Sequence, residues 1–343
     1  MTGRERVSAA MHFKTVDKAP LQYYYCPVGY YEHGEKLNDL YASLPGDFEP
    51  FRRMPITGPR PEDHDADGKF HSFETDAWGV TWEKRIFGVT GIPCKRPLEN
   101  TEDIASYVPP KPVLPGSPEC EAAKAHIQKM QSQGFYTFHG GGGVYEKLIS
   151  LCGDENALCG IALDDPDIGR IADMIAEYCR ASVECAVFCG ADGISMGDDY
   201  GAERSLLMSP ASWRSFIKPR LRYIMEPAVK AGIDIHFHSC GMIWDILEEL
   251  KELGVSSIWP QLPAYNMEAL AKKCRELELA VAIHTDRART MTYGTPQQVR
   301  DLIKREYDTF RMGDGGSWFY VEADNGFPYE NIEAQIETIA RWR

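Results

Sequence analysis

Residues 233–261 read "IDIHFHSCGMIWDILEELKELGVSSIWPQ". The first part alternates apolar and polar residues up to Gly241, as a half-buried strand does. The middle, "MIWDILEELKELG", carries apolar residues at helical spacing and stops at Gly254. The last part, "VSSIWPQ", is again strand-like. Strand, helix and strand in so short a span describe one parallel crossover unit.

The same alternation extends both ways. Upstream, "FYTFHGGGG" (135–143) reads as a strand running into glycines and "PDIGRIADMIAEYCRASVECAVFCG" (166–190) as a helix. "ADGISMGDD" (191–199) reads as a strand. "SPASWRSFIKPRLRYIMEPAVKAG" (209–232) reads as a helix with Ser209 as N-cap, Pro210 in the first turn and Gly232 at the end. Downstream, "MEALAKKCRELE", "TPQQVRDLIKREYDTF" and "YENIEAQIETIARW" are helical. They alternate with the strands "LAVAIHTD" and "SWFYVEAD". With one or two strands from the N-terminal part, such as "PLQYYYCP", this predicts an α/β fold, a closed (β/α)8 TIM barrel.

The chain is expected to be one domain over 1–343. Residues 1–118 form an irregular N-terminal extension with a short helix ("GRERVSAAMHF") and a hairpin over 76–93. It ends in a proline-rich connector, with five prolines in the thirteen residues 107–119. Residues 119–343 carry the regular strand–helix repeats. The net charge of −14 argues against nucleic acid and against an anionic membrane surface. No apolar run approaches the roughly 18 residues that span a bilayer, and no signal-peptide core is visible. The ten cysteines form no CxxC pair and no secreted-type framework, so reduced thiols and a cytoplasmic location are expected.

In a parallel barrel the site lies where the strands end. The strand ends here deliver His139, then Asp198, Asp199 and Tyr200, then His238 and Cys240, then Gln261, then His284, Asp286 and Arg287, then Glu322 and Asp324. So many polar groups at one rim suit a site better than a wall. A structural reading competes at several positions. Asp198 and Asp199 can cap the next segment, His139 can be a turn residue and His284 a core histidine. His238 and Cys240, two residues apart on a strand, share a face and could grip one Zn²⁺. His236 shares that face but lies deeper, so a supporting role is expected for it.

Several blocks resemble the uroporphyrinogen decarboxylase superfamily: "RERVSAAMHFKTVDKAP", "GDDYGAERSLLMSPASWRSFIKPRL", "HFHSCG", "HTDRARTMTYGTPQQV" and "GFPYENIEAQIE". The resemblance implies a (β/α)8 barrel with its cleft at the C-terminal rim. The decarboxylase branch binds the propionates of a tetrapyrrole through an arginine-rich N-terminal block. The equivalent stretch here, "PLQYYYCPVGYYEHG", has no arginine. The cobamide-dependent methyltransferase branch carries His-x-Cys plus a later cysteine as zinc ligands. His238 and Cys240 match the first two, but "SWFYVEADNGFP" has no cysteine and offers Glu322, with Asp324 nearby.

The resemblance therefore implies zinc held by His238, Cys240 and Glu322, with a corrinoid carried on a partner protein. A carboxylate is a harder donor than a thiolate, which favours a methylated oxygen compound as substrate. Asp199 or Asp286 would act as the catalytic carboxylate. His139, Asp198, Tyr200, Gln261, His284, Arg287 and Asp324 would bind substrate. A homodimer is compatible with this reading. The competing readings are a decarboxylase, for which Arg287 and Arg289 are the visible anion anchors, and a non-catalytic binding subunit.

Overall fold

Helix α1 (Gly3–Met11) opens the chain in the computed structural model, which describes residues 1–343. It is followed by β1 (Leu21–Tyr24), α2 (Pro27–His33) and α3 (Glu35–Ser43). A small antiparallel sheet, β2 (Ser72–Thr75), β3 (Thr81–Lys84) and β4 (Ile92–Lys95), comes next. Then come α4 (Pro118–Ser132), α5 (Tyr145–Cys152), α6 (Asp154–Leu163) and the long α7 (Pro166–Cys189). Next are β5 (Gly193–Gly197), α8 (Pro210–Ser212), a π-helical turn (Trp213–Ile217) and α9 (Lys218–Ala231). The last part runs β6 (Asp234–Ser239), α10 (Leu247–Glu252), β7 (Ser257–Pro260), α11 (Met267–Glu276), β8 (Ala280–His284), α12 (Pro296–Phe310), β9 (Ser317–Glu322) and α13 (Tyr329–Trp342).

The helix boundaries follow local chemistry. Asp165, Ser209, Asn266 and Thr295 cap α7, α8, α11 and α12 through their side chains. Gly190 and Gly232 take the left-handed conformation that ends α7 and α9. No helix is long and apolar enough to cross a membrane.

Six parallel strands form one curled sheet in the order β1, β9, β8, β7, β6, β5. Its two faces differ. Ile235 and Phe237 of β6 point into the large core shared with the helices. Between them His236 points inward, against Phe138 and Trp318. The inner face packs Tyr136, Ala280, Ala282, Trp318 and Tyr320 around Val7 and Met11, so α1 plugs the lower end.

Eight regular strands were expected, and the structure has six in this sheet. The expected strand over 135–143 is reduced to one parallel bridge, Phe138 with Gly193. Its glycines explain why. Gly141 and Gly143 lie flat on β5, and a Cβ at either would sit 2.0 Å from a backbone oxygen, of Ser195 and Gly197 respectively. The remaining gap is spanned by one residue. The Asp47 N–H donates to the Leu21 carbonyl (2.8 Å), and the Asp47 carbonyl accepts from the Tyr136 N–H (3.2 Å).

Other expectations also shift. The hairpin over 76–93 is the middle of a three-stranded meander. The helix expected after Gly241 starts with a 3-10 turn, so α10 is short. Helices α2, α3, α4, α5 and α6 were not foreseen. Cys120 and Cys185 are joined as a disulfide rather than remaining separate thiols, because packing of α4 on α7 brings their Cα atoms to 6.1 Å.

Asp47 also anchors charge. Its carboxylate accepts from the Leu21 N–H (2.9 Å) and pairs with both Arg6 and Arg343. All three side chains are almost removed from water. Asp47→Ala would leave the buried Arg343 without a carboxylate, leave Arg6 with Asp17 alone, and open the seam. A loss of about 3–5 kcal/mol is expected, read as a lower midpoint in chemical denaturation.

Candidate active site at the strand ends

The end of β6 sets the centre of the rim. Strand alternation puts His238 and Cys240 on the inner face, and their Nε2 and Sγ atoms are 3.4 Å apart. Asp199, just past β5, joins them. Its Oδ1 accepts from the Cys240 N–H at 2.8 Å and lies 3.4 Å from His238 Nε2. The donor atoms of these three residues all lie within 4.8 Å of one another.

His238 Nδ1 is 2.8 Å from the Trp259 carbonyl. A carbonyl only accepts, so Nδ1 carries a proton and Nε2 is the nitrogen turned toward Asp199 and Cys240. One imidazole nitrogen, one sulfur and one carboxylate oxygen converging in this way fit a tetrahedral Zn²⁺ with one open position. Burial, with the Asp199 charge beside it, pushes the Cys240 thiol up to about 12. Burial alone would raise Asp199, but the His238 contact and the Cys240 amide lower it on balance.

Trp259 separates this cluster from a second one. Its ring lies 4.1 Å from His238 and 4.2 Å from Tyr320, measured between centroids. Beyond it, Glu322 Oε1 lies 3.4 Å from His284 Nε2 and 3.3 Å from Arg287 Nη1, yet makes no hydrogen bond. Arg287 also pairs with Asp324. Burial pushes Glu322 up to about 7. Burial, then the Arg287 charge, brings His284 down to about 3, so its imidazole is neutral. His238, Cys240, Trp259, Gln261, His284 and Arg287 line one cleft of about 760 Å³, with Glu203 and Arg204 at its edge.

Other expected site residues serve the wall. Asp198 is fully buried. Its carboxylate accepts from the N–H groups of Val144, Tyr145 and Glu146 and from the Tyr200 hydroxyl. Burial raises its pKa against the pull of those donors. Tyr200 is likewise fully buried. Both are removed from substrate contact because every polar atom they bring is already used to hold α5 against β5. His139 alternates with Phe138, which stacks on His236 of the inner face, so it points to the helix layer, where burial and the neighbouring His126 lower its pKa. Asp286 reaches the cleft, but its carboxylate caps the following turn through the N–H groups of Ala288, Arg289 and Thr290. Gln261 is exposed and steadies the β6 turn by accepting from the Gly241 N–H at 2.9 Å.

Glu146 was not foreseen. It opens α5 and stands near Asp199. Partial burial, with the Asp199 and Asp198 charges, pushes it up to about 7. The signal was the glycine run just ahead of it, which delivers a helix start to the rim. Glu306 was also missed. It is buried under the end of β8, where the Thr285 hydroxyl donates to it at 2.9 Å, and burial pushes it up to about 8. A separate buried group, Cys120, Cys185 and Cys189, could hold a metal such as zinc.

Residues 153–309 match the family model described as uroporphyrinogen decarboxylase (URO-D). Over those residues, a little under half of the chain, the sequence is similar to that family. Among solved structures it is similar to a methyltransferase from Methanosarcina mazei, at 15% identity and a TM-score of 0.65, over 99% of both chains. That likeness shows the fold. A D-psicose 3-epimerase (10% identity, 70% of this chain and 85% of that one, TM-score 0.37) is more distant. So is a sugar phosphate isomerase/epimerase from Parabacteroides distasonis (11%, 94% and 95%, TM-score 0.37). Neither carries an argument. No curated protein matches the sequence.

Asp198→Ala removes the cap of α5 and orphans the Tyr200 hydroxyl. A loss of about 3 kcal/mol is expected in a denaturation series. Glu306 is held neutral in the fold, near 8 against an ordinary 4.5. Its contribution to stability is fully present below the lower value and is lost as pH rises through the higher one. Glu306→Gln should therefore gain stability relative to the unaltered protein as pH is raised from 5 to 9, measured by thermal melts across that range.

Proposed function

We propose that the chain is a zinc-dependent methyltransferase. It would take a methyl group from a small O-methyl compound and deliver it to a corrinoid carried on a partner protein. The convergence of Asp199, His238 and Cys240, with the His238 proton locked on Nδ1, carries this reading. The curled sheet is then a (β/α)8 barrel with an irregular seam at Asp47 and Phe138.

His238 and Cys240 would hold the zinc with Asp199 as third donor, the place first given to Glu322. Zinc, when bound there, supplies a Lewis acid that draws charge from a neighbouring oxygen. The residues of the chain do the rest. Trp259, backed by the Tyr320 ring, offers an apolar wall for the carbon skeleton and keeps water from it. Glu322, with a buried Oε1 that no neighbour satisfies, stands directly behind His284 and Arg287 of the cleft lining and would hold a proton for the substrate oxygen. Asp324 keeps Arg287 against Glu322. The decarboxylase reading is disfavoured, because Arg287 is already committed to two carboxylates and residues 20–34 contain no arginine.

The test pairs metal analysis with an anaerobic methyl-transfer assay, using a reduced corrinoid protein and a panel of O- and S-methyl donors. Cys240→Ser and Asp199→Asn should each lose stoichiometric zinc. Glu322→Gln should keep zinc and lose methyl transfer by about 100-fold or more. Zinc lost on Glu322→Gln but kept on Asp199→Asn would return the third ligand to Glu322. Transfer from S-methyl donors alone would sink the oxygen assignment.

A further inference from the structure

Between α4 and α7, away from the rim, three cysteines meet in the core. Cys120, Cys185 and Cys189 are at most 2% exposed. Cys185 and Cys189 are one turn apart on α7 and share a face, and Cys120 lies in the first turn of α4. Cys120 and Cys185 are bonded to each other. Cys189 stays a free thiol, with its sulfur 3.7 Å from that of Cys120 and 4.0 Å from that of Cys185.

We propose that these three residues form a second metal site, for a thiophilic d10 cation, and that the Cys120–Cys185 disulfide is its oxidised, metal-free form. Two sulfurs bound to one zinc at about 2.3 Å in tetrahedral geometry stand about 3.8 Å apart. Cys189 already stands at that separation from both partners. The set has no carboxylate or imidazole, which selects soft cations such as Zn²⁺, Cd²⁺ or Cu⁺. Burial raises the Cys189 thiol, and the charge of Lys124, one turn on from Cys120, opposes that rise.

The interconversion balances. A dithiol reductant gives two electrons and two protons to the disulfide and leaves as its own disulfide. The three thiols then form three bonds to a divalent cation and release three protons to solvent. In either form α4 stays tied to α7, so oxidation trades a metal for a covalent bond without freeing the helix.

The experiment uses the full chain carrying Cys240→Ser, which removes the rim thiol, and Cd²⁺ as probe. Before reduction no thiolate-to-cadmium absorption band should appear. After anaerobic reduction the band should appear with one cadmium per chain, and a further Cys189→Ala change should abolish it. Absence of the band in the reduced protein, or its survival of Cys189→Ala, overturns the proposal. X-ray absorption on the reduced, zinc-loaded Cys240→Ser protein gives a readout that needs no change at Cys189. A first shell dominated by sulfur at about 2.3 Å is expected, and a shell of nitrogen and oxygen alone overturns it.

Discussion

One aspartate ties the edge strand β1 to the segment that lies along β5. Asp47 supplies the backbone link between β1 and the 136–138 segment, and its carboxylate is the shared partner of Arg6 and Arg343. The rim geometry depends on this lower seam. The strand ends converge only if β1 and β5 are held at opposite sides of one curve, and no regular strand fills the gap between them. A buried ion cluster is a costly way to close a sheet, because two guanidinium groups must leave water. Its advantage is direction, since a carboxylate with two lateral arginines and an axial amide has one orientation. The helix α1 and the chain after α13 are thereby fixed to the same point.

The upper side of the sheet applies a different logic. Its inner face is aromatic in the middle and polar at the end, so the cleft has an apolar floor under a ring of donors. Trp259 divides that ring. On one side stand the metal-type donors, a nitrogen, a sulfur and an oxygen. On the other stand a neutral imidazole, a raised carboxyl and a paired arginine. The raised carboxyl and lowered imidazole share one cause, which is burial.

Much of this was legible in the chain. The strand–helix alternation from residue 135 predicted the parallel sheet, and period-two alternation placed His238 and Cys240 together with His236 beneath them. What escaped was whatever tertiary contact alone decides. Asp198 and Asp199 are neighbours in sequence and face opposite ways, so one became a buried cap and the other a rim donor. Nothing in "GDDYG" distinguishes them. Glu322 was expected beside His238 from the resemblance, but β7 and β8 lie between β6 and β9, and its Oε1 stands against His284 and Arg287. The "FYTFHGGGG" stretch looked like a strand because its first half alternates. Its glycines instead let the backbone press onto β5, which forfeits the ladder. The cysteine bond between residues 65 apart had no local signature.

The His238–Trp259 contact has a consequence for how such a cleft can diversify. Trp259 gives its carbonyl to orient the imidazole and its ring to floor the cleft. Ring and carbonyl belong to one residue, so any backbone adjustment of β7 that reshapes the floor also turns the donor nitrogen. Substrate range and donor geometry are mechanically coupled there. The cleft has greater latitude at Glu203, Arg204 and Arg289, which line its edge and hold none of the donors. Divergence in what this scaffold accepts should therefore accumulate on the loops after β5 and β8, while the β7 segment stays locked to the β6 turn.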